Sequence, residues 1–417
     1  MKRRERERAR RKKIERAKIA LVAFLGIILV LLSWYALGMG KENTENAKNT
    51  RSTVPLKKQK DVAQDKEQDG EQTATIMASG DMLYHDVVYG GAFDGENFDF
   101  TNNYTHITPL ISSADLALGD FEGTINPDRE LAGYPVFNAP EVVVESIKNA
   151  GYDAITLAHN HVLDTGIDGL LYTANAFKKE GLDVFGVNVS KDQDILVKNI
   201  NGIKIALLGY SYGFNGIEAT ISESDYNTYL KDLNMEKVQK EIERAEEIAD
   251  ITVVMPQLGV EYSLTPSEEQ QETYRKMVDF GADIIFGGHP HVAQPTEIIE
   301  KDGEKKFILY SMGNLLSNQR FETLENYWTE RGVIMEVQLT KKNKKTVLSD
   351  IKAHPTWVSR EPKGGMTFNG YTAYDYQVLL AEDYLKDGKQ ADTVPEEKRQ
   401  RIETAYHEMM ELLDIKW

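Results

Sequence analysis

At 417 residues the chain is long enough for one large domain or two ordinary ones, and 49 Lys and Arg against 66 Asp and Glu leave a formal net charge of −17. That acidity excludes a general affinity for nucleic acid. The absence of cysteine excludes disulfides and thiolate metal sites, so any bound metal must be held by His, Asp, Glu or Asn, ligands that suit Mn, Fe, Zn or Mg.

Residues 1–18 hold eleven Lys or Arg and three Glu, a charge of +8 that leaves −25 on everything after them. Residues 19–39 then run 21 positions without a charge, enough to cross a bilayer as a helix. The basic flank predicts a cytoplasmic N-terminus and an extracellular main body. A cleaved signal peptide is the rival, but its apolar core normally spans only about 7–15 residues, and Ala36-Leu37-Gly38 is a poor cleavage site. The expectation is a basic tail at 1–18, an uncleaved single-pass anchor at 19–39 and a polar, flexible stalk at 40–73.

From ATIMASGD onward, short apolar runs alternate with helical stretches. Strands are expected at 75–79, 116–119, 154–158, 204–209, 251–255, 284–286, 307–311 and 333–339, and helices at 141–150, 166–179, 235–249 and 267–280. This alternation predicts an α/β domain over residues 74–340 with a largely parallel sheet. Lys301-Asp302-Gly303-Glu304 reads as a hairpin turn. Residues 341–417 are expected to add a strand and a helical extension, with a charged helix at 395–413.

In open α/β sheets, ligands bind beyond the carboxyl ends of the strands. The residues that follow each apolar run are therefore the informative ones. They are GDMLYH with Asp81 and His85, DFEGT with Asp120 and Glu122, and HNHVLDTG with His159, Asn160, His161 and Asp164. PQLGVEY then offers Gln257 and Glu261, GGHPHVAQP offers His289 and His291, and SMGN offers Ser311 and Asn314. Five of the eight histidines sit in these segments. Taken singly, Asp120, Asp164 and His159 read as structural residues, whereas six strand ends in succession read as a metal-centred site. A pair of divalent cations about 3.5–4 Å apart needs a bridging carboxylate and neutral imidazoles, and activates water near neutral pH.

The motifs GDMLYH, AHNHVLDTGIDG, GVEYSLTPSEEQ, GGHPHVAQP and YSMGNLLSNQ resemble, in order, those of the capsule-synthesis protein CapA family, also called PgsA. That resemblance implies a metallophosphoesterase-like fold of two sheets flanked by helices, and membrane-anchored proteins that act in poly-γ-glutamate synthesis and export. It also implies a divalent metal site (Mn, Fe or Zn, one or two ions). Asp81 and His85 match its first aspartate and histidine, and Glu122 the bridging carboxylate. Asn160 and His161 match an Asn-His motif, with His161 a ligand or proton donor, and His289 and His291 match a closing Gly-His-x-His. Gln257 stands where the family commonly has histidine, and Asp81 and His85 are four apart where phosphoesterases use Asp-x-His.

The candidate ligands are thus Asp81, His85, Glu122, Asn160, His161, Gln257, His289 and His291, and the candidate catalytic groups His161 and Glu261. The expected partners are an anionic cell-surface polymer, membrane synthase subunits and the membrane itself. One alternative is a non-catalytic, polymer-binding subunit of the synthase. Another is a metal-dependent hydrolase of a different surface ester or phosphoester.

Overall fold

The structure, a computed structural model, describes residues 70–367 and 370–417. The expected tail, the 19–39 anchor and nearly all of the stalk lie outside the described residues. Within them, no helix is long and apolar enough to cross a membrane.

Two sheets pack face to face. The first begins with β1 (Gln72–Met82), β2 (Leu116–Phe121), β3 (Ala154–Thr156) and β4 (Asp183–Phe185), all parallel. The chain then builds the second sheet from β5 (Leu196–Ile200), β6 (Ile203–Ser211), β7 (Ile251–Gln257), β8 (Ile284–Phe286), β9 (Thr296–Lys301) and β10 (Glu304–Leu309). Its spatial order is β5-β6-β7-β8-β10-β9, parallel in the middle with antiparallel edges. Finally β11 (Asn314–Leu316), β12 (Arg331–Lys342), β13 (Lys345–Met366) and β14 (Thr372–Leu380) return to the first sheet, where β12, β13 and β14 extend it antiparallel beyond β1.

Successive side chains of a strand point to opposite faces, and here both faces are covered. Ala74, Ile76 and Ala78 of β1 meet Ile205 and Leu207 of β6 and Val253 and Met255 of β7 in the layer between the sheets. Met77, Ala117 and Ile155 point outward under the helices of the first sheet. Ala206, Val254 and Ile285 point outward under Met235–Ile248 and Glu268–Phe280. Burial on both faces makes these strands near-continuous apolar runs.

Helix ends follow local rules. Ser267 accepts a hydrogen bond from Gln270 N, capping Glu268–Phe280, and Asn234 accepts from Glu236 and Lys237, capping Met235–Ile248. The predicted hairpin joins β9 to β10, with Asp302 and Gly303 at φ 54° and 77°, the left-handed pair that a two-residue turn requires. Residues 341–417 supply β13, β14 and the helix Glu396–Leu413, which packs through Ile402 and Ala405 on Trp357.

Candidate metal centre

The parallel strands deliver their polar ends to one place. Asp81 near the end of β1 is in register with Asp120 on β2 and with Asn314 on β11. Such close approach needs small residues: a Cβ on Gly80 would lie 1.9 Å from Gly313 O. Glu122 follows β2, its amide donating to Met82 O at 3.2 Å. Gln257 ends β7 and donates from Nε2 to Asp120 Oδ2 at 3.1 Å. After β8 the chain turns sharply, with His289 and His291 at φ 92° and 57°, and a Cβ on the intervening cradle residue Gly288 would come within 2.9 Å of Asp81 Oδ1.

Asp81, Glu122 and His291 bring ligand atoms within 4.8 Å of one another, all three buried. His291 Nδ1 lies 3.1 Å from Asp81 Oδ2, 3.2 Å from Asn314 Oδ1 and 3.9 Å from Glu122 Oε2. Around them Asp81 Oδ1, Asp120 Oδ1, both Glu122 oxygens, Asn160 Oδ1, Gln257 Oε1 and His289 Nδ1 are buried with no hydrogen-bond partner. An unsatisfied buried polar group costs about 1–3 kcal/mol, and more if charged. The convergent Asp81, Glu122 and His291, with further unpaired carboxylate, amide and imidazole atoms buried on neighbouring strand ends, fit a divalent cation of the borderline-to-hard class.

The electrostatics agree. Burial drives the Glu122 carboxyl up to about 7, with His291 opposing the rise and Asp81 adding to it. Burial, then the charges of Asp81 and Glu122, hold Asp120 well above the usual carboxylate range. Burial works against a charged His291, but Glu122 and Asp81 outweigh it and raise its pKa to about 9. Burial and His291 push His289 down to about 3 and the half-buried His85 to about 4, so both imidazoles are neutral and able to ligate.

His161 has a different setting. Its Nδ1 bonds Asp164 Oδ2 at 2.8 Å, and that same oxygen accepts from Phe137 N at 2.6 Å. Burial lowers its proton affinity, but the Asp164 bond and the charge of Glu122 raise it overall. Phe137 stands edge-on to both His161 and His85, with centroids 4.8 and 5.2 Å away. Asn160 Nδ2 donates to Asn215 Oδ1 at 3.2 Å, and its carbonyl oxygen is buried without a partner. Glu261 is exposed on the loop after β7, and its charge still acts on His291, Tyr212 and Tyr262.

Several placements differ from the single-residue readings of the sequence. Asp120 is a buried member of the carboxylate cluster, because the parallel register sets it beside Asp81. Asp164 is the hydrogen-bond partner of His161. His159 is fully buried with neither ring nitrogen partnered. Tyr212, one residue beyond β6, was not singled out, yet its ring centroid lies 4.5 Å from that of His289. Its position just past a strand's carboxyl end was the available signal.

Comparison with known proteins adds the family. The family model described as "Bacterial capsule synthesis protein PGA_cap" matches residues 75–319, more than half of the chain. The capsule biosynthesis protein CapA of Bacillus anthracis is 32% identical over 224 residues, 52% of this chain and 54% of that protein. The PGA biosynthesis protein CapA of Bacillus subtilis (strain 168) is 28% identical over 232 residues, 52% of this chain and 57% of that protein. The chain thus spans about half the length of these curated relatives. Among solved structures, a putative 5'-nucleotidase from Staphylococcus aureus gives a TM-score of 0.42 at 13% identity, over 80% of this chain and 58% of that one. The calcineurin-like phosphoesterase YfkN from Bacillus subtilis gives 0.40 at 14% identity, over 82% and 99%. Overlaps that weak carry no inference about the chemistry of this chain.

Proposed function

Because the chain belongs to the bacterial capsule synthesis protein family PGA_cap, we propose that it acts in the synthesis or export of an anionic capsule polymer, poly-γ-glutamate, through a metal centre on an extracellular domain anchored by residues 19–39. The observation that carries this reading is the buried group Asp81, Glu122 and His291, surrounded by further unpartnered acceptors.

Asp81, Glu122 and His291 would hold the cation, with His85, Asn160, Gln257 and His289 at hand to complete its ligand set. A divalent cation bound there supplies Lewis acidity toward an amide, ester or phosphoryl oxygen. His161 handles the proton. Asp164 accepts from Nδ1 and fixes the ring, so Nε2 is the nitrogen left to give or take a proton at the substrate. The buried walls, including the Phe137 ring between His85 and His161, limit water around the reacting group.

The test is incubation of the Mn-loaded full chain with γ-glutamate oligomers and, separately, with phosphoesters, following product size. The reading predicts turnover of the γ-glutamyl substrate that chelation abolishes and that His161→Gln lowers by about 100-fold, with metal still bound. Turnover of phosphoesters alone would replace it with the hydrolase alternative. The Gln257 amide, engaged with Asp120 where an imidazole would ligate, favours a second reading. In that reading the protein is a subunit that binds polymer through its metal without turning it over.

A further inference from the structure

The mouth of the metal centre is aromatic. Of the ten exposed large apolar side chains among the described residues, five lie on three loops that touch it: Tyr134 and Val136, Tyr212, and Val260 and Tyr262. Tyr212 stands over His289 at 4.5 Å between centroids, and Tyr262 over His291 at 6.2 Å, while the two imidazoles are 6.0 Å apart. The tyrosines are 45% and 38% exposed, so each offers part of its ring to solvent directly beside a candidate ligand.

Both are held in place. Tyr212 N donates to Gln257 O at 3.1 Å, and Tyr262 N donates to Pro290 O at 2.8 Å, tying the second loop to the turn that bears the histidines. Tyr262 adopts φ 64°, a conformation that costs a non-glycine residue and persists where the surroundings impose it, often at binding sites. Its hydroxyl accepts from Gln319 Nε2 at 3.3 Å. Packing alone does not account for two rings that are fixed and yet half exposed.

The carboxylates of the centre are partly offset by its own histidines. The charges of Asp81 and Glu122 act on Asp120, those of His291, Asp81 and His161 act on Glu122, and Glu261 adds a negative charge beside both tyrosines. The two basic imidazoles there are already engaged, His161 with Asp164 at 2.8 Å and His291 with Asp81 at 3.1 Å. Beside the candidate ligands, the two exposed rings offer a polymer large, rigid and amphipathic contact area.

We propose that Tyr212 and Tyr262 are specificity-determining residues that grip the uncharged backbone of a polyamide, stacking on its amide planes and methylene segments on either side of the His289–His291 turn. The proposal rests on the poly-γ-glutamate reading above and adds how the polymer is recognised. Its carboxylates face water or the metal, and its backbone faces the tyrosines.

The experiment is fluorescence anisotropy of a labelled γ-glutamate decamer against the Mn-loaded full chain in detergent, with metal content measured on every variant. Tyr212→Ala and Tyr262→Ala should each weaken binding about ten-fold, as loss of one stacked ring implies, and the Phe variants should stay within about three-fold of wild type. Metal content should not change, and raising salt from about 50 to about 200 mM should weaken binding less than about three-fold. Wild-type affinity in both Ala variants would overturn the tyrosine grip and leave the polymer reading standing. Loss of metal in the Ala variants would overturn it too, making the rings supports for the histidines. A steep fall in binding with salt would assign recognition to charge. No binding by the wild-type protein would overturn the polymer reading and the grip together.

Discussion

The proton handling assigned to His161 rests on Asp164, whose Oδ2 holds the imidazole at 2.8 Å. Asp164→Asn keeps the shape but removes the charge that raises the proton affinity of His161. Loss of such an outer partner typically costs about 10–100-fold, so turnover should fall by that factor while metal content, read by elemental analysis, stays at the wild-type level. Gly288 makes the complementary case. Its backbone is outside the left-handed region, and a Cβ there would sit 2.9 Å from Asp81 Oδ1 and 3.3 Å from Asp120 Oδ2. Gly288→Ala should therefore fold normally and bind Mn about ten-fold more weakly by calorimetric titration. At this scale the sequence was partly legible. Asp81, Glu122 and His291 stood out because each follows an apolar run. Asp120, Asp164 and His159 did not, because whether a buried polar residue finds a partner is decided by the register of neighbouring strands and the path of distant loops. The partner that Asp164 fixes is three residues away, but the Phe137 amide that holds it comes from 27 residues earlier.

The elements divide by how completely they are buried. Strands covered on both faces, such as β7 and β8, are continuous apolar runs and are visible as such. The edge strand β5 has no fully buried residue, and β4 is only three residues long, so neither stands out from its flanks. The pairing of β13 with β14 was also out of reach, although the two strands are consecutive, since Thr372–Leu380 mixes polar and apolar residues without a clean alternation. The C-terminal helix was legible from Pro395 and its pattern, but its anchorage was not. Glu330 is fully buried and accepts from Trp357 Nε1 and Arg401 Nε, both at 2.8 Å. Glu330→Ala should lower stability by about 3 kcal/mol, the lower end for breaking a buried pair because Arg401 keeps Glu322, read as a fall in the urea midpoint. Burial pushes the Glu322 carboxyl up, but hydrogen bonds from Arg401 and Arg320 outweigh it and bring it from 4.5 down to about 2. Its folded pKa is depressed, so its contribution is complete above about 4.5 and is lost as pH falls through about 2. Glu322→Gln should flatten the melting-temperature curve of the full chain across that window. An unchanged curve would remove the helix tie from the account.

For the whole molecule, the arrangement concentrates negative charge at one end of a sandwich that is otherwise conventionally packed. The remainder of the chain after its basic first 18 residues carries −25, and the deepest of that charge, at Asp81, Asp120 and Glu122, is buried and opposed by the histidines His291 and His161. A bound cation should therefore stabilise the fold as well as supply its chemistry. At a free concentration about 100 times its Kd, that stabilisation is about 2.7 kcal/mol. The α/β class was legible because the alternation of strands and helices runs the length of the domain, whereas the division into two sheets came only with the family resemblance. The mouth of the centre was not, since it is built from loops after β6 and β7 whose spatial neighbours no local pattern announces. The most direct test is the metal content of the purified full chain, by elemental analysis, beside that of Asp81→Ala. The account predicts a stoichiometric divalent metal in the wild type and its loss from a variant that still melts cooperatively. No metal in either protein, even after reconstitution with Mn or Zn, would contradict it.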